Sequence, residues 1–369
     1  MKTKKIIRKL SLWFLPFHSF FRKALLLLFV IVFVSGLLFF LRPVYGLAKI
    51  FFLSANPLAA TPTIKSTDGK TNILLLGVGG KDHEGALLTD SIIVASVDEK
   101  TKKVLLVSVP RDIWLESLPE TVDGSKKINT AYASGEVKKA GGGLILAKAA
   151  AAEILGIPIH YGAVIDFAGF QKAIDIVGGV DIEVENAFDD YRYPIPGKEN
   201  EDCGEDPDNL CRYEHLHFDK GVVHMSGELA LKYVRSRYAE GIEGNDFARS
   251  KRQQKLLLAL KNKIFSRETL FSPEKINNLQ AAVQDSIDTD IDANLLPYLL
   301  KQVPKIGDFK VESFSLEESL PETPESLFTN PPVEKYGMWV LVPKKGDFTV
   351  VHQKIKALTD SLSEINPGK

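Results

Sequence analysis

The chain has 369 residues, and its 46 Lys and Arg nearly balance its 47 Asp and Glu, for a net charge of −1. Seven of the basic residues precede residue 24, which leaves 39 basic against 47 acidic side chains in the remainder. An acidic remainder excludes a broad polyanion-binding surface, so any phosphate site must be built locally from particular residues.

The first predicted element is a transmembrane helix at residues 24–41. These residues carry no charge, and 15 of the 18 are Leu, Phe, Val or Ile. At roughly 1.5 Å per residue the helix is about 27 Å long, close to the hydrocarbon thickness of a bilayer. The basic tail, residues 1–23, predicts a cytoplasmic N-terminus and an extracellular remainder. This tail is too short to fold, which excludes a DNA-binding regulator.

A cleaved signal peptide is the alternative to this anchor. Small residues near Ser54 and Ala55 support it, but the apolar segment of a signal peptide usually runs about 7–15 residues. We therefore expect an uncleaved, single-pass protein of the cell membrane.

A stalk rich in Ala, Pro and Thr (42–70) is predicted to lead into one folded domain, residues 71–360. The runs NILLLG, SIIVASVD and KVLLVSVP predict buried strands. A helix at GGGLILAKAAAAEILGI, a strand near AVIDF, a helix at AGFQKAIDIV and the strand VDIEVE are expected next. Strands that alternate with helices predict an α/β fold whose central sheet is covered by helices on both faces.

The later part of the chain is predicted to be mainly helical. We expect helices at 225–233 and 247–265, two more within 273–301, and a strand, a turn and a closing helix over 338–358. Residues 321–337 are expected to form a long surface loop.

Cys203 and Cys211 are close enough in sequence to form a small disulfide loop, which an oxidising exterior would preserve. The acidic residues around this loop lack the spacing of a calcium-binding loop.

Five side chains near residue 245 form the most informative cluster for function. Arg235 and Arg237 are two apart, so in an extended chain both project to one side. Arg249, Arg252 and Gln253 have helical spacing and are expected to share a helix face. Guanidinium groups grip phosphate oxygens bidentately, so the cluster predicts a phosphorylated ligand.

Other candidates lie near the ends of the predicted strands. Asp90 precedes a strand, Arg111 and Asp112 follow one, and Lys127 lies further on. Ligands of open α/β sheets bind at the carboxyl ends of strands, which favours a site there. No Walker-type loop is present, GVGG at 77–80 is too short for a dinucleotide motif, and His215, His217 and His224 lack the spacing of a zinc hydrolase.

An Arg/Lys clamp with carboxylates able to hold Mg²⁺ is typical of phosphoryl transfer. No ATP is available outside a bacterial membrane, so the expected substrates are polyprenyl-pyrophosphate-linked glycans, whose lipid needs an apolar groove. The alanine-rich helix either leaves room for that lipid or packs closely on the sheet.

Several sequence blocks, in this order and spacing, resemble the LytR-CpsA-Psr family of cell-wall polymer transferases. The blocks are NILLLG, TDSIIVASVD, KKVLLVSVPRD, KINTAYA, IDFAGFQKAIDIVGGVDIEVE, HMSGELALKYVRSR and DFARSKRQQ. The resemblance implies a mixed central sheet between helices that encloses an apolar polyprenyl pocket. It also implies Mg²⁺-assisted transfer of a phosphoglycan from its pyrophosphate carrier to a peptidoglycan hydroxyl.

By motif, the resemblance assigns a role to each candidate. Asp90 corresponds to the metal-binding aspartate, and Arg111, Arg235 and Arg237 to catalytic arginines. The expected phosphate-binding residues are Lys127, Arg249, Arg252 and Gln253. Two positions differ from many relatives: Leu88 stands where they have Arg, and Gly77-Val78-Gly79 lacks their second metal carboxylate. Either Asp82 or Asp246 replaces that carboxylate, or the metal is bound more weakly.

Three functions remain open from the sequence. The first is a membrane-anchored glycan phosphotransferase. The second is a pyrophosphatase that hydrolyses the lipid-linked donor with water as acceptor. The third is a non-catalytic lipid- or glycan-binding scaffold, which the two differences make plausible.

Overall fold

The computed structural model of the protein describes residues 64–80, 85–121, 124–198, 200–292, 295, 309–316 and 326–363. The predicted anchor at 24–41 lies outside them, as do the basic tail and most of the stalk. Among the described helices, none combines the length and the apolar composition needed to cross a bilayer.

The described strands and helices follow one another from Lys70 to Ser363. The strands are β1 (Lys70–Val78), β2 (Thr89–Asp98), β3 (Lys103–Ser108), β4 (Tyr161–Asp166), β5 (Val180–Val184), β6 (Phe188–Pro194), β7 (Tyr213–Phe218), β8 (Gly221–Met225), β9 (Ile287–Thr289), β10 (Lys310–Ser315), β11 (Phe328–Thr329) and β12 (Val342–Pro343). The helices are α1 (Ala131–Lys138), α2 (Gly143–Leu155), α3 (Phe167–Val177), α4 (Gly227–Arg235), α5 (Asp246–Ile264), α6 (Arg267–Leu270), α7 (Pro273–Ser286), α8 (Val333–Tyr336) and α9 (Thr349–Ser363).

Six strands form a mixed central sheet in the order β10-β3-β2-β1-β4-β9. β1 pairs antiparallel with β2 and parallel with β4. β3 pairs antiparallel with β2 and parallel with β10, and β9 pairs antiparallel with β4. The ends of β1, β3 and β4 and the start of β2 therefore meet at one edge of the sheet.

One face of this sheet is covered by α2 and α9, and we call it the filled face. Its strand residues include Leu74, Leu76, Ile92, Val94 and Val164, which are all buried. The alanines of α2 let that helix approach the sheet closely: Ala147, Ala150 and Ala151 are buried in the same cluster. Close packing is therefore the explanation of the alanine-rich helix, and the alternative of a lipid groove beside it is wrong.

The opposite face, which we call the hollow face, presents Leu75, Gly77, Ile93, Ala163 and Ile165. Helices α3, α4 and α5 lie over it, and they share a second apolar cluster with β5, β6, β7 and β8. Side-chain oxygens cap the starts of these three helices: Asp166 accepts from Gly169, Ser226 from Leu229 and Asn245 from Ala248. Only the cap of α3 is itself part of the sheet, because Asp166 is the last residue of β4.

Most of the predicted elements are confirmed, with differences at two places. VDIEVE forms β5 but pairs with β8 outside the central sheet, because its Asp181 and Glu183 are exposed and a central strand needs two buried faces. The predicted surface loop at 321–337 is wrong in its second half, where Phe328 is fully buried and pairs in β11. Of the two helices expected within 273–301, α7 is confirmed and the residues of the other lie mostly outside the described part.

Cys203 and Cys211, whose spacing allows a disulfide, form one in the structure. It closes an exposed loop between β6 and β7, two strands that pair antiparallel. On the same hairpin His215 and His217 both contact the Asp189 carboxylate, at 2.7 and 2.8 Å. These contacts brace the outer side of the hairpin.

Candidate active site

A cavity of about 380 Å³ lies between the hollow face and helices α3, α4 and α5. Much of its wall is apolar and comes from the sheet and from α3, α4 and α5. The apolar lining residues are Leu75, Ile93, Ala163, Ile165, Phe167, Phe170, Leu231, Val234, Leu256, Leu257 and Ile287. The cavity is thus suited to an apolar, flexible chain.

Charged side chains line one end of this cavity. Four arginines and three aspartates belong to its wall: Arg111, Arg235, Arg237, Arg249, Asp90, Asp166 and Asp190. The fold explains their meeting, because β2 begins and β3 and β4 end at the same sheet edge. Along α5, Arg249 and Leu257 are eight residues apart, or about 12 Å at 1.5 Å per residue. The cavity therefore runs from a charged mouth to an apolar interior.

Asp90 and Arg111 form a direct ion pair at the mouth. The Arg111 Nη1 donates to Asp90 Oδ1 at 2.5 Å, and its Nε lies 3.5 Å from Asp112 Oδ2. Lys127 donates to the other oxygen of Asp112 at 2.7 Å. The structure thus brings Asp90 and Arg111 into the cavity wall, whereas Lys127 contacts Asp112 and is not part of that wall. Its role in phosphate binding stays a prediction, and in this structure its ammonium group contacts Asp112.

Arg235 and Arg237 both reach the cavity, although not by the predicted extended pairing. Arg235 is the last residue of α4, and the chain leaves the helical conformation at Ser236, whose φ is −53° and ψ 129°. The Arg235 guanidinium lies 4.3 Å from the centre of the Phe167 ring and donates to the Tyr193 hydroxyl at 3.3 Å. Burial raises the pKa of Tyr193, so its hydroxyl stays protonated at neutral pH and accepts this bond.

Arg249, Arg252 and Gln253 lie on one helix, α5, but they do not all face the cavity. Arg249 and Gln253 face the cavity, as predicted. Arg252 is only 2% exposed and lies on another side of α5, where it pairs with Glu243 at 2.9 Å. It also donates to the carbonyl oxygens of Tyr233 and Ser236. The prediction that Arg252 binds phosphate is wrong in geometry, because adjacent residues on a helix differ in direction by about 100° and Arg252 therefore points away from Gln253.

Two aspartates in the cavity wall were missed by the sequence analysis. Asp166 ends β4 and caps α3, and its register partner Val78 also pairs with Thr89 beside Asp90. Its position at a strand end followed by a helix was the available signal. Asp190 is fully buried, and its sequence context among other acidic residues gave no such signal.

One carboxylate at the mouth, that of Asp90, is of the kind that Mg²⁺ sites in proteins use. Mg²⁺ commonly binds one or two carboxylates and completes its shell with water and substrate phosphate oxygens. Asp90, whose side chain is 43% exposed, offers such a carboxylate. Among the described residues, no group of three or more His, Cys, Asp and Glu side chains has an arrangement that could hold a metal ion. Asp82 and the side chain of Asp246 lie outside what the structure describes, although Asp246 itself begins α5.

Comparisons with known proteins agree with this architecture. The LytR_cpsA_psr family model matches residues 53–347. The polyisoprenyl-teichoic acid--peptidoglycan teichoic acid transferase TagV of Bacillus subtilis (strain 168) is 30% identical over 223 residues, which are 60% of this chain and 49% of TagV. The regulatory protein MsrR of Staphylococcus aureus (strain Mu50 / ATCC 700699) is 33% identical over 211 residues, 57% of this chain and 54% of MsrR. The chain thus spans about half the length of these two relatives.

Solved structures share the fold. The crystal structure of B. subtilis TagV aligns with a TM-score of 0.54 and 24% identity over 80% of this chain and 99% of TagV. A structure of TagT bound to LI-WTA aligns with a TM-score of 0.51 and 20% identity over 81% of this chain and 93% of TagT. At these identities the likeness establishes the mixed α/β fold, with its central sheet flanked by helices.

Proposed function

Because the chain belongs to the LytR_cpsA_psr family, we propose that it is a membrane-anchored transferase that attaches a phosphoglycan to peptidoglycan outside the cell. The donor is the glycan on its polyprenyl-pyrophosphate carrier, and the acceptor is a peptidoglycan hydroxyl. One observation carries the proposal: a single cavity joins an apolar interior to a mouth with four arginines.

The two ends of the cavity suit the two ends of this donor. The polyprenyl tail packs in the interior against side chains such as Ile93 and Phe170, where burial of apolar area stabilises it. The pyrophosphate lies at the mouth, where arginines offer paired N–H donors to its oxygens. The ring of Phe167 beneath Arg235 limits the orientations of that guanidinium.

The reaction is a phosphoryl-group displacement. The acceptor hydroxyl oxygen bonds to the phosphorus that carries the glycan, and the bond from that phosphorus to the bridging oxygen breaks. The products are the glycan phosphodiester and polyprenyl monophosphate, which takes the proton that the hydroxyl loses. Arg235, Arg237 and Arg249 stabilise the negative charge that develops on the phosphate oxygens.

Asp90 is the described residue that would hold Mg²⁺, with Asp82 or Asp246 as the proposed second carboxylate. When bound there, Mg²⁺ neutralises charge on the pyrophosphate oxygens. Arg111 holds Asp90 through the 2.5 Å contact and so fixes the carboxylate at the mouth. The names of the Bacillus relatives, which are teichoic acid transferases acting on peptidoglycan, support the transfer reaction.

A transfer assay tests this function directly. The full-length chain in detergent is given a polyprenyl-pyrophosphate-linked glycan and peptidoglycan, with Mg²⁺ or with EDTA. We expect glycan-linked peptidoglycan that requires Mg²⁺ and that Arg111→Ala abolishes. The exposed Arg267, on α6, provides the matched control Arg267→Ala, which should retain activity.

Two other results would overturn the proposal. Donor hydrolysis without linkage would identify a pyrophosphatase that uses the same site. Tight donor binding without any turnover would identify a scaffold.

A further inference from the structure

The short segment Arg235–Tyr238 carries two of the four mouth arginines, yet all of it except Arg235 lies beyond the end of a helix. Helix α4 ends at Arg235, and Ser236 leaves the helical conformation with ψ 129°. Irregular segments of this kind lack a ladder of hydrogen bonds and usually allow their side chains many orientations. Some other contact has to fix this segment if its arginines are to meet a phosphate in one geometry.

Asp190, on β6, holds the segment from one side. Its carboxylate is fully buried, and one oxygen accepts from the Ser236 hydroxyl at 2.6 Å. The same oxygen accepts from the main-chain N–H groups of Arg237 and Tyr238, at 3.2 and 3.3 Å. Its other oxygen accepts from the main chain of Arg192 at 3.0 Å. Both oxygens are thus committed to main-chain and hydroxyl donors within the protein.

Arg252, on α5, holds the same segment from the other side. Its Nη2 donates to the Ser236 carbonyl oxygen at 2.6 Å, and its Nε donates to that of Tyr233 at 3.0 Å. Its Nη1 donates to the main chain and to the carboxylate of Glu243, both at 2.9 Å. The Tyr233 and Ser236 carbonyls belong to the last turn of α4 and its C-cap. At this end of a helix the carbonyl oxygens have no N–H partners within the helix.

We propose that Asp190 and Arg252 are positioning residues, which together fix the main chain at Ser236 and thereby aim Arg235 and Arg237 at the phosphate. This inference rests on the proposed function, since it takes phosphate as the group that the two arginines meet. Neither residue needs to touch the ligand. Their effect is to remove alternative orientations of the guanidinium groups before the ligand binds.

A substitution that removes the charge of Asp190 distinguishes a positioning role from an effect of its charge on the ligand. A carboxylate in the wall of a phosphate site repels the ligand, so its neutralisation would strengthen phosphate binding if charge alone mattered. A positioning role predicts the opposite, because the neutral amide of Asp190→Asn holds two N–H groups and a hydroxyl less well. The sign of the change in affinity therefore decides between the two.

The neighbouring Asp189 provides a matched control. It is the adjacent residue on the same strand, and its carboxylate lies on the outer side of the hairpin, where it contacts His215 and His217. Asp189→Asn removes the same charge from the same part of the fold without touching the segment through a side chain. Ser236→Ala is a milder second variant, which removes one hydrogen bond and no charge.

Amide hydrogen exchange of the full-length chain in detergent measures the positioning itself. We expect the Arg237 and Tyr238 amides to exchange at least about tenfold faster in Asp190→Asn than in the wild type, and less so in Ser236→Ala. Asp189→Asn should match the wild type. Equal exchange in Asp190→Asn and Asp189→Asn would overturn the proposal.

Binding of inorganic pyrophosphate and the transfer kinetics then measure the consequence. We expect Asp190→Asn to weaken pyrophosphate binding, and to lower kcat by about tenfold to a hundredfold with a smaller rise in KM. Tighter pyrophosphate binding in Asp190→Asn would overturn the positioning role. Faster exchange and weaker pyrophosphate binding in a chain that transfers no glycan would support the positioning role while refuting the proposed transferase.

Discussion

The filled face and the hollow face of the central sheet use alternate residues of the same strands, yet helices cover them differently. On the filled face, buried alanines bring α2 close, and Leu155, Val351 and Ile355 complete the packing. On the hollow face, α5 touches the sheet through Leu257, and a cavity of about 380 Å³ remains. Small residues on one covering helix and longer ones on the other produce this difference.

The difference separates stability from function within one sheet. Close-packed side chains gain dispersion contacts that a cavity wall lacks, so the filled face contributes more to the free energy of unfolding. The hollow face gives up part of that stabilisation and in return offers apolar surface to a ligand. Substitutions on the two faces should therefore differ in whether they affect unfolding or ligand binding.

The largest effect on unfolding is expected from truncation on the filled face. Ile154 of α2 is fully buried there, and Ile154→Ala should lower the free energy of unfolding by about 2–5 kcal/mol. Leu257→Ala, on the hollow face, should cost only about 1 kcal/mol, because Leu257 already borders a cavity. Urea unfolding of both variants measures the comparison. Equal costs would contradict the distinction between the faces.

The next effect concerns function at the mouth of the cavity. Arg237→Ala should lower the rate of glycan transfer by about 10²–10³-fold, the usual cost of removing a group that stabilises transition-state charge. Its urea midpoint should stay near that of the wild type, because the side chain is only half-buried. A variant with a lowered urea midpoint and a normal transfer rate in its folded state would show that Arg237 stabilises the fold and does not act in transfer.

A pair of enlarged alanines gives a smaller but sharper contrast. Ala151→Leu places a larger side chain into the filled face, where overpacking should cost about 1–3 kcal/mol of stability. Ala163→Leu places the same side chain into the cavity, where room exists, and should leave stability nearly unchanged. The affinity for the donor should fall in Ala163→Leu and stay unchanged in Ala151→Leu. Thermal unfolding and equilibrium donor binding check the pair.

The smallest effect is a pH dependence on the outer side of α5. Hydrogen bonds from Lys251 and Lys255 lower the pKa of Glu185 to about 2 from its ordinary 4.5. A lowered pKa means that this stabilisation is present above about pH 4.5 and is lost as the pH falls through about 2. The carboxylate is exposed, so the contribution should stay below about 1 kcal/mol.

Urea unfolding of Glu185→Gln between pH 6 and pH 2 tests the Glu185 contribution. Its deficit relative to the wild type should shrink as the pH falls. Glu183→Gln, on the exposed side of β5, is the control and should show no such trend. A deficit that grows toward low pH would contradict the assigned direction of the pKa shift.

The sequence predicted the strands and helices of the sheet well, because apolar alternation and terminal glycines are local signals. Gly156 and Gly178, for example, end α2 and α3 in the left-handed conformation, at φ 69° and 89°. The pairing of β5 with β8 was not predictable in the same way, since it depends on a strand about forty residues later in the chain.

The candidate site was predictable in part. Motif spacing identified Asp90, Arg111 and Arg249, because strand ends and one helix face bring them together. It predicted that Arg252 binds phosphate, although that side chain donates to the Ser236 carbonyl oxygen and pairs with Glu243. Asp190 was missed, since its role depends on main-chain N–H groups of a distant segment, and sequence patterns carry no information about such contacts.

The most direct test of the central claim is the affinity of the full-length chain for polyprenyl monophosphates of increasing chain length, compared with inorganic pyrophosphate. We expect the wild type to bind each longer chain more tightly, because each buried CH₂ contributes about 0.8 kcal/mol. In Ala163→Leu this gain should disappear while pyrophosphate binding stays unchanged. Affinity that is independent of chain length in the wild type, or a length dependence that survives Ala163→Leu, would contradict a hollow face that holds the lipid.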